Sequence, residues 1–131
     1  YYFHVQPGDK SMIACGFWQP NAEDLARIRE EIAFDAGPLR EIINSASFKK
    51  HFGVLEGQQL KTAPRDYAKD HPDIDLLRYK SFTVSKSFTD NEVVSPGFAK
   101  EVLKYFQATR PFFDYMSEVL TTDSNGVSLI V

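Results

Sequence analysis

The sequence predicts an α+β fold, an antiparallel sheet with helices packed on it. Three observations carry that reading. Two β-rich runs flank "PGDK" near the start, and "SFTVSKSF" alternates apolar and polar residues much further on. The stretches between and after these runs carry apolar residues at helical spacing. Intervals so long between strands argue against a simple β-sandwich. The 131 residues, 43% hydrophobic and 25% charged, suit one core. We expect a single domain over residues 1–120, followed by a C-terminal tail over 121–131.

Tyr1 to Gln6 and Ser11 to Trp18 read as a β-hairpin around Pro7-Gly8. Tyr1, Phe3 and Val5 lie on one side and Tyr2 on the other, the pattern of strands covered on both faces. The chain also opens inside this strand, without a methionine. Both features lead us to expect a domain lacking its N-terminal part, with neighbouring strands lost. Asn21 is an N-cap ahead of Glu23 and Asp24, and Leu25, Ile28 and Ile32 form a helical stripe. Gly37-Pro38 breaks that helix, and a second runs from Pro38 to Asn44, with a further turn at Phe48 to Phe52.

Pro64 and Pro72 forbid a continuous helix in the next segment. Pro72 fits the first position of a short helix through Leu76 and Leu77, capped by His71 or Asp70. Ser81 to Phe88 comes after it as a half-exposed strand, with Phe82, Val84 and Phe88 on one side. Thr89 and Glu92 have capping-box spacing. Ser95-Pro96 opens a last helical region to Leu120, buried through Phe106 and Phe112 or Phe113 and interrupted at Pro111. The tail reads as a turn and a small apolar run, "VSLIV".

Charge is unevenly spread. The net value is −3, which argues against non-specific binding to nucleic acid. Lys49 to Lys86 nevertheless carries eight Lys/Arg against five Asp/Glu, a local +3. A lone cysteine, Cys15, excludes an internal disulfide framework and fits a reducing, cytoplasmic setting. No apolar run approaches the roughly 20 residues that span a bilayer.

The familiar strong motifs are missing: no phosphate-binding glycine loop, no G-x-S-x-G, no H-E-x-x-H and no paired C-x-x-C. The residues imply neither an activity nor a cofactor. Attention falls instead on "LKTAPRDYAKDHPDIDLLRYKS", which mixes basic and acidic residues around two prolines. Lys61, Arg65, His71 and Lys80 could meet around a phosphate or carboxylate, with Arg65 making a two-point contact and Tyr67 lining the same pocket. The opposing reading pairs the cations with the interleaved aspartates as a surface network. Asp70 and His71 could hold a divalent ion, or Asp70 could cap a helix while His71 bonds locally. Elsewhere, His4 is read as a buried, hydrogen-bonded histidine, Cys15 as a small core residue, and Trp18 as a lock between hairpin and helix.

The segments "YYFHVQPG", "FKKHFG", "LEGQQLKTAPRDYAKDHPDIDLLRYKSF" and "SPGFAKEVLKYFQATRPFFDYM" together resemble a largely bacterial family known as domain of unknown function 2461. The resemblance runs to about Met116. It implies a shared signature of Lys61, Pro64, Arg65, Tyr67, Asp70, His71, Pro72, Leu76, Leu77 and Lys80. It also implies an N-terminal helical part and a basic strand region preceding the first residue here. This chain departs from the family at Asp66, where glycine is usual, and at Ala14 and Cys15 in a strand that is usually glycine-rich. The resemblance supplies no activity, substrate or cofactor.

Three readings therefore compete. The first is a cytoplasmic domain binding a small anion, with an enzymatic role in a full-length protein left open. The second is a structural or interaction module in which Arg65 and Asp70 clamp the loop. The third is a metal-assisted hydrolase using Asp70 and His71.

Overall fold

A computed structural model describes residues 1–123 and 125–130. Its sheet has three antiparallel strands in the order β1 (Tyr2–His4), β2 (Ser11–Phe17) and β3 (Phe82–Phe88). The β2–β3 register sets Ile13 opposite Lys86, Cys15 opposite Val84 and Phe17 opposite Phe82. Because side chains alternate along a strand, these residues share one face, and the helices cover it. The α+β expectation holds.

Helices form where the local signals place them. In α1 (Ala22–Phe34) the Asn21 side chain accepts from the Asp24 N–H at 2.8 Å. Ile28 and Ile32, one turn apart, are fully buried; each contributes about 1.5–3 kcal/mol by leaving water. Next come α2 (Gly37–Ile43) and α3 (Ala46–Phe52), the latter capped by Ser45. The short α4 is Ile74–Leu77. Thr89 and Glu92 form the expected capping box at α5 (Asp90–Val94).

The last helical region departs in detail from expectation. Ser95 ends α5, its hydroxyl donating to the Glu92 carbonyl at 2.7 Å, and so does not cap the helix after it. That helix, α6 (Phe98–Ala108), starts after Gly97, which holds a left-handed φ of 87°. The break before α7 (Arg110–Thr121) falls at Thr109, two residues ahead of Pro111. Thr109 is fully buried there and donates its hydroxyl to the Phe106 carbonyl at 2.6 Å. Phe112 and Met116 of α7 sit in the main core with Cys15, Phe82 and Val84, while Phe106 packs at its margin. A smaller cluster joins Ile13, Phe88 and Val102.

In this structure β2 is central and β1 is an edge, with Tyr2 and Phe3 about half exposed. The tail turns back through a single Thr122–Ser128 bridge, and Arg27 of α1 donates to the Thr122 and Asp123 carbonyls. Of the expected "VSLIV" run, Val131 lies outside the described residues, as does Ser124 in the turn before it.

Candidate functional site

The segment between Gly57 and Ser81 is built from successive turns. The Tyr67 N–H donates to the Pro64 carbonyl at 3.2 Å, the His71 N–H to Ala68 at 3.1 Å and the Ile74 N–H to His71 at 3.1 Å. Asp66 occupies the third position of the first turn with φ of 75°. A turn of this kind wants glycine there, which accounts physically for the residue usual in the resembling family. The turns deliver the chain to α4. Helix α4 begins at Ile74, two residues after Pro72, and its Asp73 cap makes no side-chain bond to the helix. Instead the His71 Nδ1 accepts from the Asp73 N–H at 3.0 Å.

Three arginines hold this segment in place. Arg29 of α1 donates to the carbonyls of Leu77 and Tyr79 at 2.9 and 3.1 Å. Arg78 donates to the Leu60 carbonyl at 2.8 Å. Arg40 of α2 reaches both Asp73 and Asp75, with N–O distances of 3.0 and 2.7 Å at their closest. These bonds satisfy carbonyls and carboxylates that turn-rich backbone leaves open. A clamp exists, then, but its members differ from the expected pair: Arg65 and Asp70 are both exposed and not bonded to each other.

With Asp73 and Asp75 taken by Arg40, the cations of the segment are left over. Lys61, Arg65, Lys69 and Lys80 are exposed, and none forms an ion pair among the described residues. Arg65 sits at the tip of the Pro64–Tyr67 turn. Lys80 is tied down by its backbone alone, through a 2.7 Å bond to the Gln58 carbonyl. The remaining site residues are less exposed. Tyr67 is half-buried against the main core, its ring edge-on to His71 at 6.2 Å. Burial pushes its hydroxyl pKa up, Glu30 and Asp66 add to that, and Arg29 opposes it. Tyr67 thus answers electrostatically to α1 as well as to the loop. His71 accepts at Nδ1, so in its neutral form the proton lies on Nε2, a donor available to a ligand.

The hydrolase reading loses support. Among the described residues no group of three or more His, Cys, Asp or Glu side chains is placed to hold a metal ion, and His71 Nδ1 is already engaged.

A second feature went unnoticed in the sequence. The face of the sheet away from the helices carries Ala14, Gly16, Thr83 and Ser85 and borders a hollow of about 610 Å³. Tyr2, Trp18 and Glu56 also line it. Trp18 does not lock the hairpin to α1: its side chain is 71% exposed. Glu56 bridges to Thr83 beyond the edge of β3, and both its carboxylate oxygens accept from the Ser85 hydroxyl at 3.0 Å. His4, stacked on Tyr2 and bonded to Gln6 at 2.8 Å, is partly rather than fully buried. Cys15 is buried as expected, and desolvation raises its thiol pKa, against a smaller lowering effect of Thr109.

Residues 1–115 match the sequence model of a family described as "Conserved hypothetical protein (DUF2461)", and the chain belongs to that family. No curated protein and no solved structure matches it. Among the described residues, no helix is long and apolar enough to cross a membrane.

Proposed function

We propose that this member of the DUF2461 family is a cytoplasmic binding domain for a small anionic group, held by the basic face of the 60–81 segment. One observation carries the reading. Arg40, from outside the segment, pairs with both Asp73 and Asp75, and Lys61, Arg65, Lys69 and Lys80 are exposed with no ion-pair partner among the described residues. Those four cations outnumber the segment's other two carboxylates, Asp66 and Asp70, and an excess of positive charge on one loop attracts anions. Arg65 supplies a planar fork, Lys61 and Lys80 supply point charges, and His71 offers Nε2–H. Tyr67 and Asp70 shape the turns around them. An acidic protein with so small a basic area suits a small anion better than a nucleic acid. The single reduced cysteine supports the compartment.

The test is a calorimetric titration with inorganic phosphate and with pyrophosphate. We expect saturable binding that weakens with added salt and drops about tenfold in Arg65→Lys, because an ammonium cannot reproduce the two-point contact. Arg65→Ala should melt within about 0.5 kcal/mol of the parent, since its side chain is exposed and without a partner. Absence of binding at millimolar anion would overturn the proposal.

The clamp has its own observation in its favour, the bonds from Arg29, Arg40 and Arg78. Those arginines are distinct from the free cations. The two roles are therefore separable by mutation: loss of Arg40 reads stability, and loss of Arg65 reads binding.

A further inference from the structure

We propose that the open face of the sheet is a second binding site, one that takes an alkylated ammonium ion between Glu56 and the aromatic side chains Tyr2 and Trp18. The hollow of about 610 Å³ falls within the range of roughly 300–1,000 Å³ that small-molecule sites occupy. Its floor is low because Ala14 and Gly16, neighbours on the same face of β2, carry little or no side chain. The register places Tyr2 beside Ala14 and Ala14 beside Ser85, with Glu56 bonded to Ser85 from the far side. One row across the sheet thus runs from an aromatic wall, over a small residue, to a carboxylate. Trp18 stands at the end of β2, past Gly16.

Charge decides the class of ligand. Glu56 is the charged side chain lining the hollow, and neither lysine nor arginine lines it. Glu56 makes no ion pair among the described residues; its oxygens share one hydroxyl donor, so most of their capacity to accept stays open. A carboxylate and exposed aromatic side chains lining one hollow favour a cation with apolar substituents. Ring faces attract it through their quadrupoles, its methyl groups cover the apolar floor, and Glu56 supplies the counter-charge. This site shares no residue with the basic loop, so the two proposals stand or fall separately.

Trp18 is the single tryptophan of the chain, and its emission therefore reports the site directly. The probe is choline, titrated against its neutral isostere 3,3-dimethylbutanol, which keeps the shape and removes the charge. Choline should shift Trp18 fluorescence saturably, and the isostere should bind at least about tenfold more weakly. Glu56→Gln should weaken choline by a similar factor while leaving the isostere unchanged. Glu101→Gln guards against a general charge effect: this exposed carboxylate of α6 is outside the lining of the hollow, and choline binding should persist. Equal binding of choline and the isostere would overturn the proposal, as would no saturable change with choline, or an undiminished choline response in Glu56→Gln.

Discussion

Arg40 grips Asp75 through two parallel hydrogen bonds, Nη1 to Oδ2 at 3.1 Å and Nη2 to Oδ1 at 2.7 Å. The same guanidinium reaches Asp73 Oδ1 from Nε and Nη2 at 3.2 and 3.0 Å. One side chain of α2 thereby fixes the entry to α4, and with it the turns that carry the basic residues.

Arg40→Ala should cost about 1–2 kcal/mol, more than a lone surface pair because four charge-assisted bonds vanish together. Arg40→Lys should recover little, since an ammonium cannot serve both carboxylates in the plane of a fork. Urea melts of the three proteins measure this. An Arg40→Ala midpoint equal to the parent's would remove the clamp from the account of the fold.

The same contact predicts a pH dependence. Hydrogen bonding from Arg40 is the main reason that the Asp75 pKa is lowered. A carboxylate depressed in the folded state stabilises at pH above its unfolded pKa of about 3.9, and the benefit disappears as pH falls through the folded value. The parent should therefore lose stability below about pH 4 more steeply than Arg40→Ala. Melting temperatures between pH 2 and 7 compare the two slopes.

Gly57 and Gly16 leave no room for a side chain. Each holds a left-handed φ, 136° and 129°, and a Cβ would collide with the carbonyl of Ser81 or Phe82 respectively. Either Gly→Ala change combines backbone strain with a shifted strand, and about 2–3 kcal/mol is the expected loss. Thermal melts check it. Gly53→Ala is the control, because its φ of 78° is strained but the space around it is open, and it should cost less.

Tyr115 on α7 has a hydroxyl that is buried and has no hydrogen-bond partner among the described residues. Burial, with Glu31 and Asp35 adding, pushes its pKa up to about 12. Tyr115→Phe removes a polar atom that gains nothing by folding and should raise stability by about 1 kcal/mol. A lower melting temperature for the phenylalanine variant would show that the hydroxyl has a partner after all.

Cys15 should be slow to react. Its side chain is 3% exposed and its thiol is harder to ionise than usual, chiefly through desolvation. Modification by a disulfide reagent at pH 8 should proceed at the rate at which the sheet opens, and speed up on adding denaturant. A rapid reaction in native buffer would contradict the burial.

How much of the fold and the site is legible in the residues divides by range. Asn21, the Thr89–Glu92 box, the alternation of Ser81 to Phe88 and the stripe of Ile28 and Ile32 are all readable, because caps and periodicities act within a turn or two of chain. The Ser95-Pro96 cap fails for the same reason: Ser95 is already spent on the Glu92 carbonyl, so the choice between two nearby helices is local and close. The basic loop is recognisable as a charged segment, yet its partners are not. Arg40 and Asp73 are 33 residues apart and Arg29 and Leu77 are 48 apart, and no spacing rule connects them. The hollow is equally hidden. Glu56, Ser85 and Tyr2 share a row only once the strand register is set, and Trp18 is as plausible a buried residue as an exposed one until α1 takes its path. The sequence by itself determined most of the helix and strand segments and core stripes such as Ile28 with Ile32, since short-range bonds and apolar burial decide those. Only the tertiary structure decided which charges cancel and which remain, because pairing depends on distances of a few ångströms between residues that the chain keeps far apart.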